Sequence, residues 1–164
     1  MQSTTYCRWT LAIENVDRMN VSRIKILNHK NATTAKIEND GIDMISARDS
    51  LVTNNFVMTV DDAMCAKGAV SGAPVSNNVF VDNVVYTSCA GNKAGFQAQG
   101  PYSGVVFRGT DVLRARRGVV VQAQEGAFAM HNVSFIDIRV DLGWIFFVQK
   151  YFLRTENPAT LNKC

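Results

Sequence analysis

Apolar and polar residues alternate along this chain in short runs, and the runs recur. NVSRIKILN (20–28), SLVTNNFVM (50–58), NVFVDNVVY (78–86), GVVFRGTDVL (104–113) and NVSFIDIRV (132–140) share the pattern, and each is bounded by Asn, Asp or Gly. A period of two puts successive side chains on opposite faces of a strand, so each run predicts a half-buried β-strand. The runs start at positions 20, 50, 78, 104 and 132, at nearly even intervals. A second series lies between them: DMISA, AMCAKG, GFQAQG and VVQAQEG. Ile45, Ala66, Ala98 and Ala123 are matched as its inward positions, and the intervals between them (66 − 45 = 21, 98 − 66 = 32, 123 − 98 = 25) are similar to those of the first series.

Two interleaved strand series with one shared period predict a coil of short parallel strands stacked turn on turn. The expected fold is all-β, a right-handed parallel β-helix of about five turns. No stretch carries helical periodicity with a cap, and proline occurs only at 74, 101 and 158, outside the strand candidates. Asn54-Asn55 and Asn77-Asn78 suit tight corners, because Asn tolerates left-handed backbone angles. An antiparallel sandwich competes, but its hairpins would not repeat the tripeptide QAQ at 97–99 and again at 122–124, one period later.

Composition narrows the function classes. At 164 residues the chain suffices for one domain, 1–164, and it reads as part of a longer chain: it starts in mid-pattern and stops at NPATLNKC without a recognisable cap. The longest apolar patch, WIFFV at 144–148, is too short for a membrane span and reads as a buried strand. A net charge of +3 is too mild to argue for nucleic acid, and Arg114, Arg116 and Arg117 read as an exposed turn or strand end. The four cysteines (7, 65, 89 and 164) form no CxxC and imply neither a disulfide framework nor zinc. With two histidines there is little to build a His-based metal site or a Ser-His-Asp triad, and no metal or cofactor is expected. The start, MQSTTYCRWT, lacks the regions of a signal peptide. Three sequons, at Asn20, Asn31 and Asn132, arise as easily from Asn-rich turns as from a glycosylated protein.

The candidate chemistry lies in two Asp-rich segments, ENDGIDMIS (38–46) and VDDAMCAKG (60–68). Asp40 returns as Asp61 after about one turn (61 − 40 = 21), and Asp62 follows directly. Three carboxylates therefore converge on one outer face. If Ala66, Ala98 and Ala123 point inward, Lys67, Gln97, Gln99, Gln122 and Gln124 point outward with Cys65. That face then carries acids, amides and one lysine, as a sugar-binding groove would. Cleaving a glycosidic bond needs one protonated carboxylic acid for the leaving oxygen and ionised carboxylates to activate water. Asp40, Asp61 and Asp62 are the candidates, although NDG and VDD also suit turns. Asp43 shares the parity of the inward Met64 and predicts a buried, hydrogen-bonded structural role. Lys67 either meets an anionic group or forms an ion pair fixing Asp61 or Asp62.

At these residues the sequence resembles the polygalacturonase-type glycoside hydrolases of family 28 and related β-helix enzymes such as the dextranase family. The family pattern Asn-Thr-Asp-Gly-(Ile/Phe)-Asp is matched by Asn39-Asp40-Gly41-Ile42-Asp43 with the Thr missing, and its Asp-Asp pair by Asp61-Asp62-Ala63-Met64. The resemblance implies an inverting hydrolase with Asp61 as general acid, and Asp40 and Asp62 holding and deprotonating the water. The family's Gly-His-Gly is replaced by Lys93-Ala94-Gly95, and the strand of its Arg-Ile-Lys reads Gly118-Val119-Val120-Val121-Gln122, with neither cation. Amides bond hydroxyls but do not neutralise a uronate, so a neutral or differently charged polysaccharide is the expected substrate. As a piece of a longer chain it is expected to be secreted or periplasmic, which would also explain the missing signal peptide. A monomer binding a polysaccharide or oligosaccharide, with no nucleic-acid or membrane partner, completes the expectation. A non-catalytic carbohydrate-binding β-helix is the alternative. A polysaccharide lyase ranks below both, because only Lys67 is placed to act as its base.

Overall fold

The computed structural model describes residues 9–28, 39–126 and 128–150; Cys7, His29, Asn31, Pro158 and Cys164 lie outside them. These residues form sixteen strands in a repeating order of three. The first turn holds β1 (Trp9–Glu14), β2 (Asn20–Ser22) and β3 (Lys25–Leu27). The second holds β4 (Asp40–Ile45), β5 (Leu51–Thr53) and β6 (Phe56–Met58). The third is β7 (Met64–Gly68), β8 (Val75–Val81) and β9 (Val84–Tyr86), and the fourth β10 (Ala90–Ala98), β11 (Tyr102–Arg108) and β12 (Asp111–Arg114). The fifth is β13 (Arg117–Glu125), β14 (Met130–Ile136) and β15 (Arg139–Val140), after which β16 (Trp144–Lys150) opens another turn.

Every third strand pairs in parallel. One sheet runs β1-β4-β7-β10-β13-β16, a second β14-β11-β8-β5-β2 and a third β15-β12-β9-β6-β3. The chain is a parallel β-solenoid of about five turns. In the second sheet Asn20 pairs with Leu51, Leu51 with Val79, Val75 with Tyr102 and Tyr102 with Met130, so the turns are nearly equal in length (51 − 20 = 31, 79 − 51 = 28, 102 − 75 = 27, 130 − 102 = 28). Each polar-apolar run of the sequence supplies one strand of the second sheet and one of the third.

What breaks each run in two is a corner residue in the left-handed region. Arg23, Asn54, Asp82, Gly109 and Asp137 occupy equivalent positions on the five turns, with φ between 51° and 63°. A second such column, Arg18, Asp49, Asn77, Gly104 and Asn132, marks the entry to the second sheet. Asn and Asp are tolerated there because their short polar side chains bond locally. The residue after Asn54, Asn77 and Asp82 is in each case an asparagine that turns inward. Asn83 Oδ1 accepts from the Asn55 N–H at 2.9 Å and from Asn55 Nδ2 at 3.0 Å, and its own Nδ2 donates to the Val52 carbonyl at 2.9 Å. At the other corner Asn78 Oδ1 accepts from the Ser50 N–H at 3.3 Å, while its Nδ2 donates to the Ala47 carbonyl at 2.7 Å. Both asparagines are wholly buried. Asn83→Ala strands three of these groups, and a loss of roughly 2 kcal/mol in urea unfolding is expected. An unchanged midpoint would mean that water replaces the amide.

Between the corners the core fills with stacked apolar columns. Phe80, Phe107 and Phe135 lie one above another, with ring centroids 4.5 and 5.2 Å apart. In the first sheet Ile42, Met44, Met64, Ala66 and Ala94 face them. Just before these, Gly41, Ala63, Gly91 and Gly118 form a column of small residues. A Cβ on Gly41 would lie 2.3 Å from Val57 Cγ1 and 2.4 Å from the Ala63 carbonyl oxygen, and one on Gly118 would lie 2.6 Å from Val140 Cγ2. The chain is thus pressed inward at this corner, and the residue preceding it, Asp40 or Asp62, is turned outward. The glycine of NDG is required by space, not by a left-handed φ.

The expected inward set of the first sheet is offset from the observed one. Met44, not Ile45, pairs with Ala66, and Ala66 pairs with Ala94. Ala98 sits opposite Gly68, and Ala123 opposite Phe96. A register shift between Phe96 and Gln97, beside the positive φ of Gly95 and Phe96, separates the two QAQ tripeptides. The apolar patch WIFFV does form a strand, but it is not buried: Trp144, Ile145, Phe146 and Val148 are 56–70% exposed on β16, the last strand of its sheet.

Candidate functional site

The outward position before the small-residue corner carries Asp40 on the second turn and Asp62 on the third. Gly41 N–H donates to the Asp62 carbonyl at 2.8 Å and Ile42 pairs with Met64, so Asp40 stands opposite Asp62. The sequence match of Asp40 to Asp61 therefore falls one position short. Asp61 sits one position earlier, in the corner, equivalent to Asn39. Thr59 and Thr87, themselves one turn apart, anchor that corner by donating through Oγ1 to the carbonyls of Asn39 and Asp61. Trp9 continues the Asp40–Asp62 column below, and Ala90, Arg117 and Trp144 continue it above.

Two lysines pair with Asp40 and Asp62. Lys67 Nζ bonds Asp40 Oδ2 and lies 3.0 Å from Asp43 Oδ2, with the Trp9 ring centroid 4.4 Å from the ammonium. Lys93 Nζ lies 2.6 Å from Asp62 Oδ2, while Asp62 Oδ1 accepts from the Ala90 N–H at 3.1 Å. The ion pair expected for Lys67 thus exists, but with Asp40 and Asp43, and it is Lys93 that holds Asp62. Asp43 is buried as expected, yet it faces outward, opposite Cys65 and not Met64. Its Oδ1 is buried with no hydrogen-bond partner.

Burial dominates the electrostatics. Asp40 and Asp62 are each only 4% exposed, and Asp43, Cys65 and Val120 on the same outer face have no exposed surface, so this is not an open groove. Burial, followed by the charge of Asp40, pushes Asp43 up to about 8. Asp61 is only partly buried, and burial with the charges of Asp62 and Asp40 carries it to about 7. Burial and the charge of Asp62 also raise Asp40, with Lys67 opposing. For Lys67, burial alone would lower the ammonium, but Cys65, Asp43 and Asp40 outweigh it and hold the proton more firmly. Lys93 is raised in the same way by Asp62 and Cys65. Burial sends the Cys65 thiol well above its ordinary value, which makes it inert as a nucleophile.

The cysteines differ from the sequence expectation. Cys65 is free and buried, while Cys89 is disulfide-bonded. The Cys89 sulfur lies 2.8 Å from Asp62 Oδ1; without a proton to donate, this is a contact and not a hydrogen bond. The groups Asp40–Asp43–Cys65 and Asp61–Asp62–Cys89 have the closeness of metal ligands. Neither is suited to an ion: an ammonium already fills the first, and in the second Lys93 takes Asp62 and the sulfur is not a thiolate.

The glutamines are not gathered with the acids. Gln122 and Gln124 lie towards the far end of β13 from Arg117, and Gln97 towards the far end of β10 from Ala90. Gln122 Nε2 donates to Gln124 Oε1 at 2.9 Å, and Gln97 Nε2 to Glu125 Oε2 at 3.3 Å. Gln99 is partly buried past the end of β10, its N–H donating to the Gly68 carbonyl at 2.8 Å. Lys93 and Arg117 belong to the site but do not stand out in the sequence. Arg117 opens β13 in register with Ala90, half-buried, with Nη2 4.0 Å from Cys89 Sγ. Burial lowers its pKa, and the charges of Asp62 and Asp61 oppose that. One full turn counted on from Ala90 is the signal that locates it.

Fold and site together define a parallel β-solenoid with an acid–lysine cluster on its first sheet. No family model, no curated protein and no solved structure matches the chain.

Proposed function

We propose that the chain is a glycoside hydrolase acting on a polysaccharide with inversion. The observation that carries this reading is Asp61: a partly exposed carboxyl that burial and the charges of Asp62 and Asp40 push up to about 7, beside two acids that each pair with a lysine. A group of that kind keeps its proton near neutrality and can release it. Asp61 gives its proton to the glycosidic oxygen as the bond to the anomeric carbon breaks. A water oxygen bonds to that carbon from the opposite face, and its proton passes to Asp40 or Asp62. Inversion asks for acid and base about 6.5–9.5 Å apart; Asp61 and Asp62 bring carboxylate oxygens within 4.8 Å of each other, so Asp40 is the better candidate for the base. The residue-by-residue resemblance to family 28 supports the same roles. The missing uronate-binding cations favour a neutral or differently charged glycan, with Gln97, Gln99, Gln122, Gln124 and Lys67 as candidate binding groups. Lys67 is engaged by two acids, so the glutamines are the better candidates. A secreted or periplasmic location is supported by the disulfide at Cys89, since such bonds persist in oxidising compartments.

A reducing-sugar assay over neutral and acidic polysaccharides, with Asp61→Asn alongside, tests the reading. Release of reducing ends from one glycan, more than a hundredfold slower in the variant, is expected. Activity should fall as pH rises through about 7, where Asp61 loses its proton. Undiminished cleavage by Asp61→Asn would overturn the assignment.

A second reading, a non-catalytic carbohydrate-binding solenoid, is favoured by one observation. Asp40 and Asp62, the two bases, are almost without exposed surface. No release of reducing ends from any glycan by the folded protein selects it. A lyase fares worse than both, because Lys67 and Lys93 hold their protons too firmly to act as bases.

A further inference from the structure

The buried part of the acid cluster does not balance in charge. Asp40, Asp43 and Asp62 lie on the outer face with Lys67 and Lys93, all five at most 8% exposed. Among the described residues these three buried carboxylates face two buried ammoniums, and the further cation, the half-buried Arg117, bears on Asp62 and Asp61; Asp40 and Asp43 therefore share Lys67, and isolated charge is the costliest thing to bury. A proton on one acid removes the imbalance. Asp62 has a dedicated partner in Lys93 and a backbone donor in Ala90. Asp40 takes the closer bond from Lys67. Asp43 has the longer one, no exposure, and an oxygen to which no described residue donates.

We propose that Asp43 is a positioning residue for Asp40: it carries the surplus proton and, through Lys67, holds the Asp40 carboxylate charged and aimed. This rests on the reading of Asp40 as a water-binding carboxylate. While Asp43 is neutral, Lys67 serves Asp40 almost alone. When Asp43 ionises, two carboxylates compete for one ammonium, and Asp40 loses both orientation and charge support. The described groups that act on Asp43 are Asp40 on its own strand, Cys65 and Lys67 on β7, Asp62 ahead of that strand, and Lys93 on β10, which bears on Asp40. A proton held in the folded chain but released in the unfolded one near pH 4 makes stability fall as pH rises from about 4 towards 8.

The test is a carboxyl ¹³C NMR titration of the whole chain, labelled at aspartate, beside Asp43→Asn. The native protein is expected to show a carboxyl with a midpoint of about 8, and an Asp40 resonance that inflects at the same pH. In Asp43→Asn both features vanish. The fall in unfolding temperature between about pH 4 and 8 becomes shallower by one proton. If a glycan is cleaved, both proteins lose activity as Asp61 deprotonates, and the ratio of activity above pH 8 to activity at pH 6 is higher in the variant than in the native protein. A residue that merely packs would shift none of these midpoints. A native protein in which no aspartate other than Asp61 titrates above pH 6 overturns the proposal, whether or not the variant folds, as does an Asp40 curve unaltered in Asp43→Asn. Coupled titration in a protein that cleaves no glycan upholds the proton on Asp43 and overturns the hydrolase reading instead.

Discussion

Lys67→Met is expected to cost roughly 3–5 kcal/mol in urea unfolding, the range for removing one partner from a buried ion pair. Methionine matches the lysine stem but leaves the Asp40 carboxylate and the Asp43 carboxyl buried together without the cation that both bond. It also removes the ammonium from the Trp9 ring, 4.4 Å away. The penalty lies in the orphaned carboxylates and not in the lost volume. Adding Asp40→Asn and Asp43→Asn to Lys67→Met should therefore recover most of the loss. A single-variant loss below about 1 kcal/mol would instead be the behaviour of a solvated surface pair, and the buried cluster would have to be abandoned.

Phe107→Ala is the other large effect, about 3–5 kcal/mol on thermal or urea unfolding. Phe107 is the middle ring of the Phe80–Phe107–Phe135 stack and is wholly buried. Its removal opens a hole between two rings fixed by neighbouring turns, whose backbones are tied by the ladder and cannot close the gap. Phe107→Leu keeps most of the apolar volume and is expected to cost under half as much. Equal losses for Ala and Leu would show that ring stacking, not burial, dominates.

The solenoid is legible in the sequence because its second and third sheets repeat almost without length change. Asn54 and Asn77 announce their corners, being among the few residue types at ease with a left-handed φ. Arg23 and Arg18 do the same duty unannounced, since nothing local marks an arginine for that conformation. The first sheet is less legible because parity counts only along an unbroken strand. The shift after Phe96 makes two identical QAQ tripeptides inequivalent. Asp40, Asp61 and Asp62 stand out as acids, but the two lysines that pair with Asp40 and Asp62 come from the next turn along the chain. Their pairing follows only once the unequal turn lengths of that sheet are known. The burial of the outer face has no signature at all: a strand such as MCAKG reads as half exposed, and only the fold reveals that every one of its side chains is covered.

The two left-handed columns have a consequence for how such a chain changes over generations. Each turn carries its own pair of corner residues, so the information that bends the backbone is local to the turn. A duplication or excision of one whole turn, such as the stretch from Tyr102 to the residue before its ladder partner Met130, leaves every remaining side chain in its column. Losing a single codon between corners moves inward residues out and outward residues in along that strand. The architecture is thus tolerant of edits in one length and brittle to all shorter ones, and it lengthens most easily by copying itself.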